Sequence, residues 1–404
     1  GAGCISAPAA ENRVQRSTYR QPIYTHQRHA IPCTASPACS VPVANSTGAV
    51  QRGILLERTT ISEELISATV SGLPSAGDQA KHAAFADFNG DGCPDLFVAN
   101  HGRANSLFRH NCLAGGAAGF IAITSGEVVT DVARCTMGIW GDIDGDGWVD
   151  LLVVNGGHAI AGQQLTGHYA HMEANQLYRN LGTISSDRFG KVTTGPLVTD
   201  MAATYGAAFG DFDNDGCLDV MVTNQGQENV LYKNDCNGGF TTTEHARDWV
   251  GFVSTAASWG DYDGDGFLDL FVASAFSDHS SGTRNALYHN EAGSNFLRIS
   301  QGALVAHDDH THDAAWADYD GDGLLDIAIA NWPMSGAYSQ GSVIFRNVDG
   351  SAGGFARIAL TTGFAGSHVS WVDFDGDGWL DLLFANQKRP GLSGAPNLYR
   401  NNMD

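Results

Sequence analysis

The chain has 404 residues and a formal net charge of −22, from 22 Lys+Arg against 44 Asp+Glu. That excess of negative charge argues against nucleic acid as a partner, and no apolar run is long enough to span a bilayer, so no membrane insertion is expected. Fifty glycines with only 16% charged residues point to many tight turns rather than long solvated helices.

The first 50 residues contain four Arg and one acidic residue, Glu11, which leaves +3 on this segment and −25 on the rest. Opposite charge favours docking of the segment on its own body or on a neighbouring copy, so self-association through the N-terminus is one expected partner mode. The chain begins at Gly1 rather than Met, which fits a processed secreted protein and equally a trimmed one. Eight cysteines without a CxxC pair indicate disulfides rather than a zinc knuckle, and so a secreted, extracellular or cell-surface setting. Asn45-Ser46-Thr47 is the one glycosylation sequon.

Downstream the sequence repeats. "DFNGDGCPD" starts at Asp87, "DIDGDGWVD" at Asp142, "DFDNDGCLD" at Asp211, "DYDGDGFLD" at Asp261, "DYDGDGLLD" at Asp318 and "DFDGDGWLD" at Asp373. An aromatic stands two residues before each: Phe85, Trp140, Phe209, Trp259, Trp316 and Trp371. An apolar run such as "LFVAN" or "LLVVN" follows each motif, then a third element such as "NQLYRN" or "NVLYKND", and in most units a fourth stretch such as "GFIAITS". Each unit therefore offers four short β segments in about the length of one propeller blade. No amphipathic helical periodicity competes with them, so the expected class is all-β.

Carboxylates or amides at motif positions 1, 3 and 5, with Gly at 6, form an oxygen cage for a hard cation. An EF-hand would need Glu at position 12 and a following helix. Here the last carboxylate is at position 9 and a strand-forming run follows, so the motif reads as a calcium-binding turn between the first two strands of a blade. The expected ligands are Asp87, Asn89, Asp91 and Asp95; Asp142, Asp144, Asp146 and Asp150; Asp211, Asp213, Asp215 and Asp219; Asp261, Asp263, Asp265 and Asp269; Asp318, Asp320, Asp322 and Asp326; and Asp373, Asp375, Asp377 and Asp381. Position 7 adds a backbone carbonyl from Cys93, Trp148, Cys217, Phe267, Leu324 or Trp379. Six bound Ca²⁺ would take the net charge from −22 to −10, and without them the clustered carboxylates repel, so calcium is expected to be structural.

The motif D-x-[DN]-x-D-G-x-x-D with its apolar strand resembles the FG-GAP/VCBS repeat family, whose calcium-binding propellers include the head of integrin α-chains. The resemblance covers residues 80–404. It implies a β-propeller with the calcium cages carried over site by site, and it departs from the integrin pattern in ending strands with "VAN" and in lacking a membrane anchor.

The mean spacing of 57.2 residues divides the chain into about seven units. "PCTASPACSVPVAN" at 32–45 aligns with "DFNGDGCPDLFVAN", so a degenerate first blade is expected, with "ILLERTT" and "ISATVS" as its outer strands. The expected fold is thus a seven-bladed β-propeller of four-stranded blades over residues 25–404, with the six calcium-loop blades from about residue 80. Residues 1–24 act as a ring-closing strand or intersubunit arm, and 12–20 supply the last blade's missing strand. Six blades with an N-terminal arm is the alternative.

Cys93 and Cys217 share one motif position, and Cys112 and Cys236 each lie 19 residues later, which predicts the pairs Cys93–Cys112 and Cys217–Cys236. Cys33 and Cys39 flank the degenerate loop and are expected to pair. Cys4 and Cys135 remain by elimination, within one ring or between subunits.

The calcium turns lie on one face of such a ring. Ten histidines fall in or near segments of the opposite face: His82, His101, His158, His168, His171, His279, His307, His310, His312 and His368. Imidazoles from "HDDHTHD" (307–313) and from the insertion at 156–172 are candidates for Zn²⁺ or Cu²⁺, against the plainer role of polar loop residues. Trp249 and Trp332 lie outside the repeat consensus on the same face. Either could stack on a sugar ring or pack the loops. The functional classes that follow are a recognition or adhesion module for a glycan or extracellular protein, a structural subunit of an assembly, and a sugar-active lyase or dehydratase. The last would draw its base from His171, His310 or His312. No nucleophile triad or carboxylate pair is recognisable outside the calcium loops.

Overall fold

A small-residue run carrying an aromatic precedes each acidic motif and a continuous apolar run follows it, and the two fold as antiparallel strands joined by the motif. The computed structural model describes residues 56–59 (backbone), 80–111, 119–156, 172–182, 188–243, 254–275, 284–307, 310–332, 341–360, 366–386 and 396–402. Among them the strands form four separate four-stranded sheets, one eight-stranded sheet and a two-stranded pairing of Glu173–Ala174 with Met201–Ala202. The large sheet consists of two four-stranded units joined where Asp95–Ala104 runs on to pair with Val132–Gly141.

The first blade comprises Ala80–Ala86, Asp95–Ala104, Ser106–Asn111 and Gly119–Ile123. The second comprises Val132–Gly141, Asp150–Asn155, Gln176–Asn180 and Phe189–Val192, and the third Thr204–Gly210, Asp219–Asn224, Val230–Asn234 and Phe240–Thr242. The fourth is Ser254–Gly260, Asp269–Ser274, Ala286–Asn290 and Phe296–Ile299. The fifth is Thr311–Ala317, Asp326–Asn331, Val343–Asn347 and Phe355–Ala359. Gly366–Val372, Asp381–Asn386 and Asn397–Asn401 make three strands of the sixth. Each first strand bulges by one residue near its start, at Lys81, Thr136, Tyr205, Thr255, His312 and Ser367.

Two expectations about the N-terminus are corrected. The fourth strand of the sixth blade is Leu56–Thr59, paired antiparallel with Asn401 back to Leu398, at the edge for which the sequence offered 12–20. The same pairing removes "ILLERTT" from a degenerate first blade and places it beside the chain's last strand. A seventh blade is not formed among the described residues. The rest of 25–79, and residues 1–24, lie outside them.

Neighbouring blades are stitched by two repeated contacts. The tryptophan two residues before a motif donates from Nε1 to the first strand of the preceding blade: Trp140 to Ala84 O, Trp259 to Ala208 O, Trp316 to Ser258 O and Trp371 to Ala315 O, at 3.0–3.4 Å. The asparagine ending the third strand donates to the carbonyl at motif position 2 of the preceding blade. These bonds are Asn180 to Phe88, Asn234 to Ile143, Asn290 to Phe212, Asn347 to Tyr262 and Asn401 to Tyr319, at 2.7–2.8 Å. Aromatic packing fills the space between them, as where Trp371 stacks on Tyr319 with centroids 5.4 Å apart.

The junction between the sixth and first blades departs from this pattern. His110 stands where the other blades have the stitching asparagine. Phe85 is 59% exposed and Phe374, at motif position 2 of the sixth blade, is 44% exposed, whereas the residues equivalent to Phe374 are all buried. Asn347→Ala removes three side-chain hydrogen bonds, two donated to Tyr262 O and Leu325 O and one accepted from Gly350 N–H, and leaves buried carbonyls without a donor. It should cost about 2 kcal/mol in denaturant unfolding. His110→Ala, at the same repeat position of the exposed junction, should cost less than half as much, and equal losses would contradict the distinction between the junctions.

Candidate functional site

Each acidic loop is built around its first aspartate. The position-5 N–H donates to Oδ1 of Asp87, Asp142, Asp211, Asp261 or Asp318 at 3.0–3.1 Å; in the sixth blade Gly376 takes this role toward Asp373 at 2.8 Å. The glycine at position 6 donates to Oδ2 of the same residue in every loop, at 2.8–3.0 Å. Its φ lies between +85° and +95°, a region costly for a residue with a Cβ, which explains why all six copies have glycine there. Position 7 (Cys93, Trp148, Cys217, Phe267, Leu324 or Trp379) closes the turn by donating its N–H to the position-5 carboxylate, at 2.9–3.0 Å.

This turn aims side-chain oxygens inward. One ligand atom from each of Asp142, Asp144 and Asp146 lies within 4.8 Å of the other two, and the same holds for Asp211, Asp213 and Asp219 and for Asp261, Asp263 and Asp265. An oxygen-only donor set of this kind fits a hard divalent cation such as Ca²⁺.

Position 9 has a second role that the motif does not reveal. Asp95, Asp150, Asp219, Asp269, Asp326 and Asp381 are 0–1% exposed. One oxygen of each accepts a third-strand N–H, from His110, Asn180, Asn234, Asn290, Asn347 or Asn401, at 2.7–2.9 Å. In the last five the other oxygen accepts the position-2 N–H, at 3.0–3.3 Å. Each carboxylate thus braces its loop against its third strand. Burial raises its pKa, to about 7 for Asp95, Asp219 and Asp269, about 6 for Asp150 and about 8 for Asp326.

The third strand also supplies a basic residue just before its asparagine. Arg179 pairs with Asp144, Lys233 with Asp213 and Asp215, and His289 Nδ1 lies 3.1 Å from Asp263. Arg346 lies 2.5 Å from Asp320 and Arg400 2.6 Å from Asp375. A tethered basic side chain therefore meets motif position 3 in five blades. In the first blade, Asn89 replaces the aspartate and donates to Asp95 at 3.1 Å.

The position-7 rings pack inward rather than facing solvent freely. A Cβ on Gly90, in the preceding loop, would meet Trp148 at 2.8 Å, and one on Gly321 would meet Trp379 at 3.1 Å. The Arg188 guanidinium sits 5.6 Å from the Trp148 ring centroid.

The disulfide Cys217–Cys236 is formed, linking the third blade's loop to the turn after its third strand. Cys93 is also disulfide-bonded, while its expected partner Cys112 lies outside the described residues. Cys135 is a free thiol, 0% exposed, with burial raising its pKa to about 11. It packs in the apolar core with Phe97, Trp140 and Tyr178, so the expected bond to Cys4 is not made. The elimination failed because it assumed that all eight cysteines pair. Cys4, Cys33, Cys39 and the Asn45 sequon lie outside the described residues.

On the opposite face, Trp249, His168 and His171 are outside the described residues. Trp332 is buried, 9% exposed, with His312 stacked on its ring at 4.7 Å, so little of the indole is left for a sugar. The backbone N–H of Trp332 donates to His310 O at 2.7 Å, and His307 lies tilted against Phe345. Tyr205, from the third blade, meets His312 of the fifth edge-on at 6.5 Å. The loop histidines are thus spread among packing contacts. Below them, the first strands enclose a cavity of about 860 Å³ lined by His82, Ile139, Ala207, Ala257, Ala314 and their neighbours. No helix among the described residues is long and apolar enough to cross a membrane.

The FG-GAP-like repeat profile matches residues 87–153, 142–222, 211–272, 261–329 and 334–384. No curated protein matches the chain. Solved structures similar to it include the V. cholerae biofilm matrix protein Bap1 (15% identity, TM-score 0.38), covering 73% of this chain and 42% of that one. The Dos1 propeller aligns at 8% identity and TM-score 0.41, covering 76% of this chain and 64% of that one. BBS1N, solved in complex with ARL6DN, aligns at 12% identity and TM-score 0.41, over 81% and 94% of the two chains. The chain spans less than two thirds of the first two.

The position-9 carboxyls set a pH dependence for the protein in metal-free buffer. Their folded pKa values are raised above the ordinary value of about 4, so the folded state holds more protons than the unfolded one. Stability is fullest below pH about 4 and is lost as pH rises through about 6 to 8. Thermal melts across pH 4 to 8 in chelator should show a falling midpoint, and a midpoint that rises over that range would refute the assignment.

Proposed function

Because the chain belongs to the FG-GAP-like repeat family, we propose that it is an extracellular, calcium-stabilised β-propeller serving as a recognition or adhesion module for a glycan or protein. The observation that carries this reading is the contrast between its two faces. The turn from first to second strand is eight residues long in every blade. The second-to-third-strand connections vary from one residue in the first blade to twenty in the second. A uniform face suits a repeated structural device, whereas loops of varied length on a rigid scaffold suit binding. The disulfide supports an oxidising compartment.

In this reading calcium bound by the six acidic loops neutralises carboxylates that the tethered basic residues only partly balance. The ring has six blades, closed by Leu56–Thr59 on the last third strand. The ligand meets the variable face, near the mouth formed by Tyr205 and His312.

Calcium should raise stability by about 2.7 kcal/mol per site at a hundredfold excess over Kd. Chelation should therefore lower the melting temperature at pH 7.5 markedly, with recovery on calcium readdition; an unchanged melt after verified calcium removal contradicts the structural role. Binding is tested with the calcium-loaded chain on glycan and extracellular-protein arrays. Tyr205→Ala and His312→Ala should weaken a captured ligand at least tenfold with unchanged folding, while Arg109→Ala should not. Full binding by both variants places the ligand elsewhere and contradicts the assigned face.

A further inference from the structure

Three blades carry polar residues at one repeat position just past the first-strand bulge. That position pairs with the second strand as His82↔Ala99, Met137↔Val154, Gly206↔Thr223, Ala256↔Ala273, Asp313↔Ala330 and His368↔Ala385. Its side chain points to the next blade, since a Cβ on Gly206 would meet Thr255 O and Ala256 Cα. Asp313, His368 and His82 therefore form a directed chain through the fifth, sixth and first blades, while Met, Gly and Ala occupy the other three.

The contacts follow that direction. Asp313 accepts from the N–H groups of Ala314 at 2.9 Å and Val369 at 3.1 Å, and His368 Nδ1 lies 3.4 Å from its Oδ2. The His368 ring also donates to the Lys81 carbonyl. The rings of His368 and His82 meet edge-on with centroids 5.5 Å apart. His82 Nδ1 is buried with no hydrogen-bond partner, which is costly for a polar atom unless something else engages it. Burial first, and then the neighbouring His368, lower the His82 pKa to about 4, so its ring is neutral.

We propose that His82 and His368 bind one divalent transition-metal ion, Zn²⁺ in the first instance, on the wall of the cavity that His82 lines, with Asp313 as the orienting residue. A carboxylate facing Nδ1 fixes the ring and leaves Nε2 of His368 for the metal. Ligation exchanges the hydrogen bond to Lys81 O for a coordination bond. With Zn–N of about 2.0–2.1 Å, two imidazoles on one tetrahedral ion have ring centroids about 5 Å apart, close to the separation here. Water completes the shell, and the His368 side chain, 47% exposed, gives it a route. Imidazole nitrogen selects such an ion over calcium, so the site is chemically distinct from the oxygen-only loops. It also differs from the loop histidines to which the sequence pointed.

The test uses the full chain saturated with calcium, so that the acidic loops are filled, titrated with Co²⁺ while visible absorption is recorded, followed by displacement with Zn²⁺. One Co²⁺ per chain with nitrogen-ligand bands is expected. His82→Gln and His368→Gln should each weaken binding at least a hundredfold, Asp313→Asn about tenfold to a hundredfold, and His307→Gln not at all, with folding checked by circular dichroism. Should a glutamine variant not fold, ring ¹⁵N resonances of the unmutated protein decide, because Zn²⁺ must shift those of His82 and His368. No cobalt spectrum at millimolar metal overturns the site. So does binding that survives His82→Gln, is lost in His307→Gln, or proceeds only by displacing calcium.

Discussion

A carboxylate with no exposed surface is an expensive thing to bury, and this protein does so six times. The position-9 aspartate of each motif joins three parts of a blade, because its two oxygens accept from the loop itself and from the third strand in five of the blades. The loop cannot unfold without stranding that carboxylate, and the third strand cannot shift register without losing its donor. The asparagine whose N–H completes the brace uses its side chain to reach the preceding blade. One residue pair thus couples the stability of the turn to the stacking of the ring.

Charge is the other half of the design. Placing four carboxylates in nine residues is unfavourable in isolation, and a third-strand Arg or Lys offsets part of it from within the same blade in the second, third, fifth and sixth blades. A single basic side chain satisfies position 3 but leaves positions 1 and 5 largely to backbone donors. A divalent ion fits that remainder, and it explains why the loops retain oxygen donors at every odd position up to 5. In the first blade the offset is achieved differently, by an amide at position 3, so the same end is reached with one carboxylate fewer.

Much of the fold was legible in the sequence because the repeat carries its own alignment. Motif spacing, flanking apolar runs and the inter-blade tryptophans all emerged from it, as did the Cys217–Cys236 bond. Ring closure did not, because many short segments have enough strand propensity to pair with an open edge, and only the three-dimensional register selects Leu56–Thr59 over 12–20. The basic residue stands in the third elements themselves, immediately before the asparagine in "LYRN" and "LYKN", and it forms a column when those elements are aligned. Asp313, His368 and His82 are unremarkable one at a time. They share a column only after the bulge is placed, and they touch only because the sixth blade returns to the first. Trp332 looked available because it lies outside the consensus, but the adjacent bulge residue His312 covers it.

The most direct measurement of the central claim, that the braced acidic loops are cation cages, is calcium stoichiometry by native mass spectrometry. It would be paired with calorimetry on the same folded sample at neutral pH. The account predicts up to six Ca²⁺ per chain, with Asp320→Asn removing one and leaving the others in place. A folded, metal-depleted chain that binds no calcium at millimolar concentration would contradict it, and so would an Asp320→Asn chain that retains the full complement.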